Sequence, residues 1–326
     1  MNGRIDHLYV IDTSCKVPYR NQALEEYLLD QVDSKSLILY LWQNQRTVVI
    51  GKNQDAFNEC NIERLENDGG YLARRLSGGG AVYHDLGNLN FTFLSRKDNY
   101  DVDRQGKVIL DAVNRLGFDA EKNGRNDLLI DGRKFSGHAY YSRGDRCYHH
   151  GTIMYDVDEE KLSDYLNVSM LKLKDKAVSS VKSRVVNLKS LSEDLTIDDI
   201  KKSLAASFEE NYGIKAEVIY EESLDQDKIR TLEEKYSDPA WRYGTRKEYP
   251  HVMEKKFDFG IVRIGYELEG NVISDLAVYS DSLHTESIEK LIDILNGKDI
   301  DRLDINGLDD IQSKIIDFIR EEKDNV

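Results

Sequence analysis

The run Arg74-Arg75-Leu76-Ser77-Gly78-Gly79-Gly80-Ala81-Val82-Tyr83-His84-Asp85 sets two guanidinium groups directly ahead of three consecutive glycines. Glycine removes the side chain and lets backbone N–H groups approach a bound group closely. Fixed positive charge beside bare main chain suits an anionic ligand lying along a sheet edge. The run is not a Walker loop, because Gly80 leads into Ala81 and a strand-like stretch rather than Lys-Ser/Thr and a helix. Nor does it carry the dinucleotide fingerprint. Taken alone, the glycines are equally well read as a tight turn between strands, and His84-Asp85 as residues that shape it.

A second segment, Asn126-Asp127-Leu128-Leu129-Ile130-Asp131-Gly132-Arg133-Lys134-Phe135-Ser136-Gly137, has Asp-Gly between two apolar-containing runs, a strong hairpin signal. A two-residue turn pairs Ile130 with Arg133, Leu129 with Lys134, Leu128 with Phe135 and Asp127 with Ser136. Alternation then puts Asp127, Leu129, Lys134 and Ser136 on one face, with Lys134 diagonally across from Asp127. Gly137 leaves room for a ligand to approach the backbone.

The surrounding elements read as an α/β chain. Leu37 to Leu41 and Thr47 to Ile50 are expected strands. Apolar stripes predict helices through Leu24, Leu28 and Val32, and through Val108, Ile109, Ala112 and Leu116, closed by Gly117. Another runs through Ile200, Leu204, Phe208 and Tyr212, with Thr196 as N-cap and Gly213 as stop. Pro239 and Pro250 bracket a polar stretch, Trp241 to Tyr249, that reads as a domain junction. Beyond it, Phe257 to Ile264 and Val272 to Tyr279 are expected to form a hairpin across Glu269-Gly270-Asn271. Two helices follow, through Ile288, Leu291, Ile292 and Leu295 and through Ile311, Ile315, Phe318 and Ile319. The expected organisation is a catalytic domain over residues 1–245 and an accessory domain over 246–326.

The chain has 326 residues, enough for two such domains. Its net charge of −15 disfavours nucleic-acid binding. Basic residues nevertheless cluster, at Lys172, Lys174, Lys176, Lys182, Arg184 and Lys189 and at Arg125, Arg133, Lys134, Arg143 and Arg146. Each cluster alone reads as a solvated face; both together with Arg74 and Arg75 favour an anionic ligand. No apolar run approaches the ~20 residues of a membrane span. Arg4, Asp6 and Asp12 stand where a signal peptide needs apolar residues, and the cysteines are scattered and odd in number (Cys15, Cys60, Cys147). A cytoplasmic, reducing location is the expectation. Zinc-site spacing and a Gly-x-Ser-x-Gly elbow are both missing from the sequence.

Read together, several motifs in order resemble the lipoate–protein ligase family, of the kind that activates free lipoate. They are the Arg74 to Asn88 stretch, Gly124-Arg125-Asn126-Asp127-Leu128, Arg133-Lys134-x-Ser-Gly-x-Ala-Tyr, His149-His150-Gly151-Thr152 and Ser179-Ser180-Val181-Lys182-Ser183-Arg184-Val185. The resemblance covers the first ~245 residues, and the remainder is similar to the small accessory domain of the longer ligases. It implies an α/β mixed sheet with flanking helices, of the biotin/lipoate ligase kind, plus a small α+β C-terminal domain. It also implies a two-step reaction. Lipoate and ATP, with magnesium, give lipoyl-adenylate, and the acyl group passes to a lysine of a lipoyl domain of a 2-oxoacid dehydrogenase E2 subunit or of a glycine-cleavage H protein. No nucleic-acid or membrane partner is implied.

By that resemblance Lys134 is catalytic and touches both acyl carbonyl and phosphate. Arg75, Gly78, Gly79, Gly80, Ala81, Val82, Tyr83, Asn126, Asp127, Lys182, Ser183 and Arg184 would bind ATP or the adenylate, with Asp127 also a metal ligand. Trp42, Arg75, Lys134, Ser136, Gly137 and His150 would hold lipoate. The roles make physical sense. A carboxylate attacking a polyanion is repelled, and one ammonium within ~4 Å of both contributes about 4 kcal/mol at an effective dielectric near 20, roughly a thousandfold in rate. Burial of the acyl methylenes contributes roughly 3 kcal/mol. That falls short of millimolar affinity, so the ring and polar contacts must supply the rest. The alternative on the same fold is a transferase working through a cysteine thioester. Biotin ligation is disfavoured because its basic glycine-arginine loop is absent.

Overall fold

A computed structural model of the chain describes residues 4–123, 127–167, 185–304 and 306–323. Its centre is an eight-stranded mixed sheet in the order β11-β1-β2-β6-β10-β9-β8-β7. The strands are β1 (His7–Asp12), β2 (Ser36–Trp42), β6 (Asn88–Arg96), β7 (Ala120–Asn123), β8 (Asp127–Ile130), β9 (Arg133–Arg143), β10 (Arg146–Met154) and β11 (Ala216–Val218). β1 pairs in parallel with β2 and β11; the other neighbours are antiparallel.

Strand alternation sorts β6 cleanly. Leu89, Phe91 and Phe93 enter a core with α4 (Val102–Arg115) and α6 (Ile197–Tyr212) on one face of the sheet. Asn90 and Thr92 point to the other face. On that side lie α1 (Pro18–Gln31) and α7 (Gln226–Ser237), packed with Tyr40, Trp42 and Leu94. The expected caps are present: Thr196 and Asp199 form a reciprocal capping box on α6, and Gly213 ends it in the left-handed conformation.

A small second sheet, β4-β3-β5, lies beside the first. It joins β3 (Thr47–Ile50), β4 (Tyr71–Arg74) and β5 (Val82–His84), and packs with the short helices α2 (Ala56–Glu59), α3 (Ile62–Asn67) and α5 (Glu159–Tyr165). The glycine loop is the connection from β4 to β5.

Past α8 (Pro239–Tyr243), the C-terminal part has its own core. It comprises a three-stranded antiparallel sheet, β12 (His251–Phe257), β13 (Gly260–Glu269) and β14 (Val272–Ser280), with α9 (Thr285–Leu295) and α10 (Asp310–Glu322). The expected strand Phe257 to Ile264 is two strands, broken by a turn at Asp258 and Phe259, so the hairpin is a three-stranded meander. The Trp241 indole N–H donates to the Arg74 carbonyl at 2.9 Å, tying α8 to the end of β4 where the glycine loop begins.

Candidate active site

Between the two sheets lies a cavity of about 310 Å³. The main sheet supplies Trp42, Asn90, Gly137, Ala139, His150 and Thr152. The small sheet and glycine loop supply Val49, Arg75 and Gly79 to His84, and α1 supplies Gln22 and Glu25. Lys134 lines the same space, so the amine and the triple-glycine segment share one site.

The hairpin that carries Lys134 has the expected turn. Asp131 and Gly132 both have positive φ, 50° and 72°, as a two-residue turn of this hand requires. Ile130 pairs with Arg133 and Leu129 with Lys134, but a bulge then shifts the register, so that Leu128 faces Ser136 and Asp127 faces Gly137. Phe135 is the extra residue, and its burial in the core accounts for the shift. Lys134 keeps its place opposite Leu129, and its Nζ sits 2.7 Å from an Asp127 carboxylate oxygen. Ser136, expected at the lipoate, is carried off the Lys134 face by the shift. It is buried, is not part of the cavity wall, and its Oγ lies 3.1 Å from His138 Nε2. Gly137 lines the cavity, but a Cβ there would lie 2.8 Å from the Lys134 Nζ; the missing side chain makes room for the lysine itself.

Arg75 is fully buried. Its Nε donates to Ser77 Oγ and the Gly78 carbonyl, both at 3.1 Å. Nη1 donates to Val49, and Nη2 to the Gly78 and Gly80 carbonyls. Among the described residues one Nη1 hydrogen has no acceptor. Within the described residues no carboxylate touches this guanidinium, and burial pulls its pKa down to about 10. Such a charge favours an anion in the cavity. Arg74 is different: it donates to the carbonyls of Gly51, Lys52, Gln54 and Trp241 and braces the loop from behind.

The glycines divide in role. Gly78 lies outside the cavity wall, and a Cβ there would collide with the Ser282 carbonyl of the C-terminal part. Gly79 has φ +91°, lines the cavity, and donates its N–H to that same Ser282 carbonyl at 3.3 Å. Gly80, Ala81, Val82 and Tyr83 all line the cavity.

Opposite Lys134, a buried network links Trp42, Thr92, Glu25, His150, Ser77 and Arg75. The Trp42 indole N–H donates to Thr92 Oγ1 at 3.1 Å, and Thr92 donates to Glu25 Oε1 at 2.7 Å. His150 Nδ1 lies 2.9 Å from the same oxygen, and its Nε2 is 2.7 Å from Ser77 Oγ. His150 is therefore locked in position. Gln22 and Glu25 carry little signal in the sequence beyond being polar and three apart on the α1 stripe; in the fold they belong to a buried run from Asn21 to Leu29. His84 lines the cavity, whereas Asp85 does shape the loop, accepting from the backbone of Gly87 and Asp158.

Asn126, Lys182, Ser183 and Arg184 lie outside the described residues. Their flanks do not: Leu166 and Val185 both line the cavity, and Val185 bridges to Lys134. The second basic cluster is not a unit. Arg143 pairs with Glu26 and Asp30, and Arg146 sits beside Asp145, at the end of β9 and β10 away from the hairpin turn. No cysteine lines the cavity. Burial pushes the Cys60 thiol up to about 12 and raises that of Cys147. A poised thiolate is thus not built here. No group of three potential metal ligands occurs among the described residues.

The two-sheet cavity, with an ion-paired lysine at one side and a buried arginine under a glycine loop, defines a ligase-type catalytic domain with an appended C-terminal unit. Residues 17–209 match the model of the lipoyl protein ligase A/B catalytic domain, and residues 246–322 that of the bacterial lipoate protein ligase C-terminus. The chain belongs to the lipoate–protein ligase family. It is 38% identical over 311 residues to lipoate-protein ligase A of Psychrobacter cryohalolentis, covering 92% of this chain and 91% of that one. It is 41% identical over 291 residues to the Bdellovibrio bacteriovorus protein of the same name, covering 86% and 85%. Among solved structures, P. falciparum LipL1 in complex with lipoate superposes with a TM-score of 0.84 at 26% identity, covering 98% of this chain and 100% of that one. Lipoate-protein ligase A bound with ATP gives 0.63 at 27% identity, covering 75% and 99%.

Proposed function

We propose that this protein activates lipoate with ATP at Lys134, forming lipoyl-adenylate, and transfers the acyl group to an acceptor lysine. The observation that carries the reading is the single cavity shared by Lys134, Arg75 and the bare backbone from Gly79 to Tyr83. Relatives with bound lipoate and bound ATP support the two ligands. Lys134 bridges the acid and the α-phosphate as a point charge, lowering the repulsion between them. Arg75 presents the field of a buried cation and holds the loop carbonyls away from the ligand. Trp42, Gly137 and His150 line the acyl path. Asn126, Lys182, Ser183 and Arg184 bind ATP or the adenylate; Asp127 and Val185, which follow them in the chain, stand beside Lys134.

Asp127 is one carboxylate beside the lysine. That donor set fits magnesium, which binds through one or two carboxylates with substrate phosphates and water. When bound, the ion neutralises the departing pyrophosphate. Residues 1–245 form the catalytic unit and 246–326 the accessory unit. The acceptor is a lipoyl domain or H protein; a Thermoplasma acidophilum ligase solved with its E2 lipoyl domain supports that class. The test is mass spectrometry of purified lipoyl domains and H protein incubated with the protein, ATP, magnesium and lipoate, each omitted in turn. A lipoyl mass increment requiring all four supports the reading. Transfer without ATP, blocked by alkylation, overturns it in favour of a thioester route.

A further inference from the structure

The cavity holds two buried polar groups that the chemistry at Lys134 leaves unused. Gln22 is 2% exposed and lines the cavity, and neither its Nε2 nor its Oε1 has a hydrogen-bond partner within the described residues. A buried amide left in that state is costly unless something in the cavity meets it.

His84 presents the second group, and its tautomer follows from a relay. Asn21 Nδ2 donates to Asn44 Oδ1 at 2.9 Å, which leaves the Asn44 Nδ2 facing His84 Nδ1 at 3.3 Å. An amide N–H must donate, so Nδ1 accepts and the ring hydrogen sits on Nε2. That Nε2 is buried and without a partner within the described residues, and His84 also lines the cavity. Burial, with Arg75 and His150 nearby, lowers the ring's pKa to about 3 and keeps it neutral.

Both groups lie toward Trp42. The His84 and Trp42 rings are 6.2 Å apart, edge to face. Gln22 is flanked on α1 by Asn21, which donates to the Gln43 carbonyl, and by Glu25, which accepts from Thr92, the partner of the Trp42 indole. Lys134 is at the other side. Trp42 pairs with Asn90 and Asn90 with Thr152, and the Gly137 N–H reaches Thr152 Oγ1. Three strand spacings, about 14 Å, therefore separate Trp42 from the glycine under Lys134. An acid activated at Lys134 with its chain running along this row brings its far end to Gln22 and His84.

We propose that Gln22 and His84 form a polar reading site for the sulfur-bearing end of the acyl ligand, selecting the cyclic disulfide over an unsubstituted eight-carbon acid. This rests on the cavity holding an acid activated at Lys134. Disulfide sulfurs are polarisable weak acceptors, whereas an alkyl end offers the two groups nothing. A site built to meet polar atoms rejects the analogue that lacks them.

The test is ATP–pyrophosphate exchange driven by lipoate and by octanoate, in the unaltered protein and in Gln22→Met and Gln22→Leu. The unaltered protein is expected to prefer lipoate. In both variants the lipoate-to-octanoate ratio of kcat/KM should fall about tenfold. Thermal melting should hold or rise, since an unpartnered amide has been removed. Equal use of the two acids by the unaltered protein, or a ratio unmoved in folded variants, overturns the reading site while leaving the ligase intact. Exchange with neither acid in the unaltered protein overturns the ligase reading itself.

Discussion

Lys134 and Arg75 separate function from stability at the level of single residues. The Lys134–Asp127 pair is more than a third exposed on both sides, and such pairs contribute little to folding. Lys134→Ala should therefore melt within a few degrees of the parent while losing adenylate formation, about a thousandfold or more. Arg75 is the reverse case. Arg75→Met strips donors from the Val49, Gly78 and Gly80 carbonyls and from Ser77, and is expected to cost about 3 kcal/mol or more of stability. Urea titration checks this; an unchanged midpoint would show that the loop is held by something else.

The elements show what the sequence disclosed and what it hid. Apolar period located α1, α4, α6, α9 and α10, and Asp131-Gly132 located the Lys134 turn, because these signals are local. The Phe135 bulge was not legible: it depends on how Phe135 packs across the sheet, and it moved Ser136 off the Lys134 face. Gln22, Glu25 and His84 were hidden for a related reason. Their burial is imposed by how α1, the main sheet and the small sheet meet around the cavity, and apolar periodicity does not register buried polar residues. The same bulged strand leads into a histidine relay. His138 Nδ1 lies 2.9 Å from His149 Nε2, and His149 Nδ1 lies 3.1 Å from Gln105 Oε1. Burial lowers His138 to about 3 and His149 well below its ordinary value, and His84 likewise to about 3. A lowered folded pKa means that the unfolded chain takes up protons first as pH falls. The stability these neutral rings contribute is then present above the ordinary histidine pKa of about 6.5 and is lost as pH falls below it. Melting at pH 7 and pH 5 should show that loss, before most carboxylates titrate; a higher melting temperature at pH 5 would refute it.

Across the whole molecule, the glycine loop is also where the C-terminal unit docks. Ser282 sits on Gly78 and Gly79, the Asn53 carbonyl accepts the Ser280 N–H at 2.8 Å, and Lys52 pairs with Glu289 at 2.6 Å. Gly78→Ala should force Ser282 away without touching the cavity wall. The expected result is faster proteolysis across residues 244–250 with the separate cores of the two parts retained; unchanged cleavage would argue that the contact is dispensable. The central claim is that one cavity joins an acid to a nucleotide under Lys134. Lipoate-dependent ATP–pyrophosphate exchange in the parent and in Lys134→Ala tests it most directly. Exchange that needs lipoate in the parent and vanishes in the folded variant is the predicted result. Near-normal exchange in Lys134→Ala would contradict it.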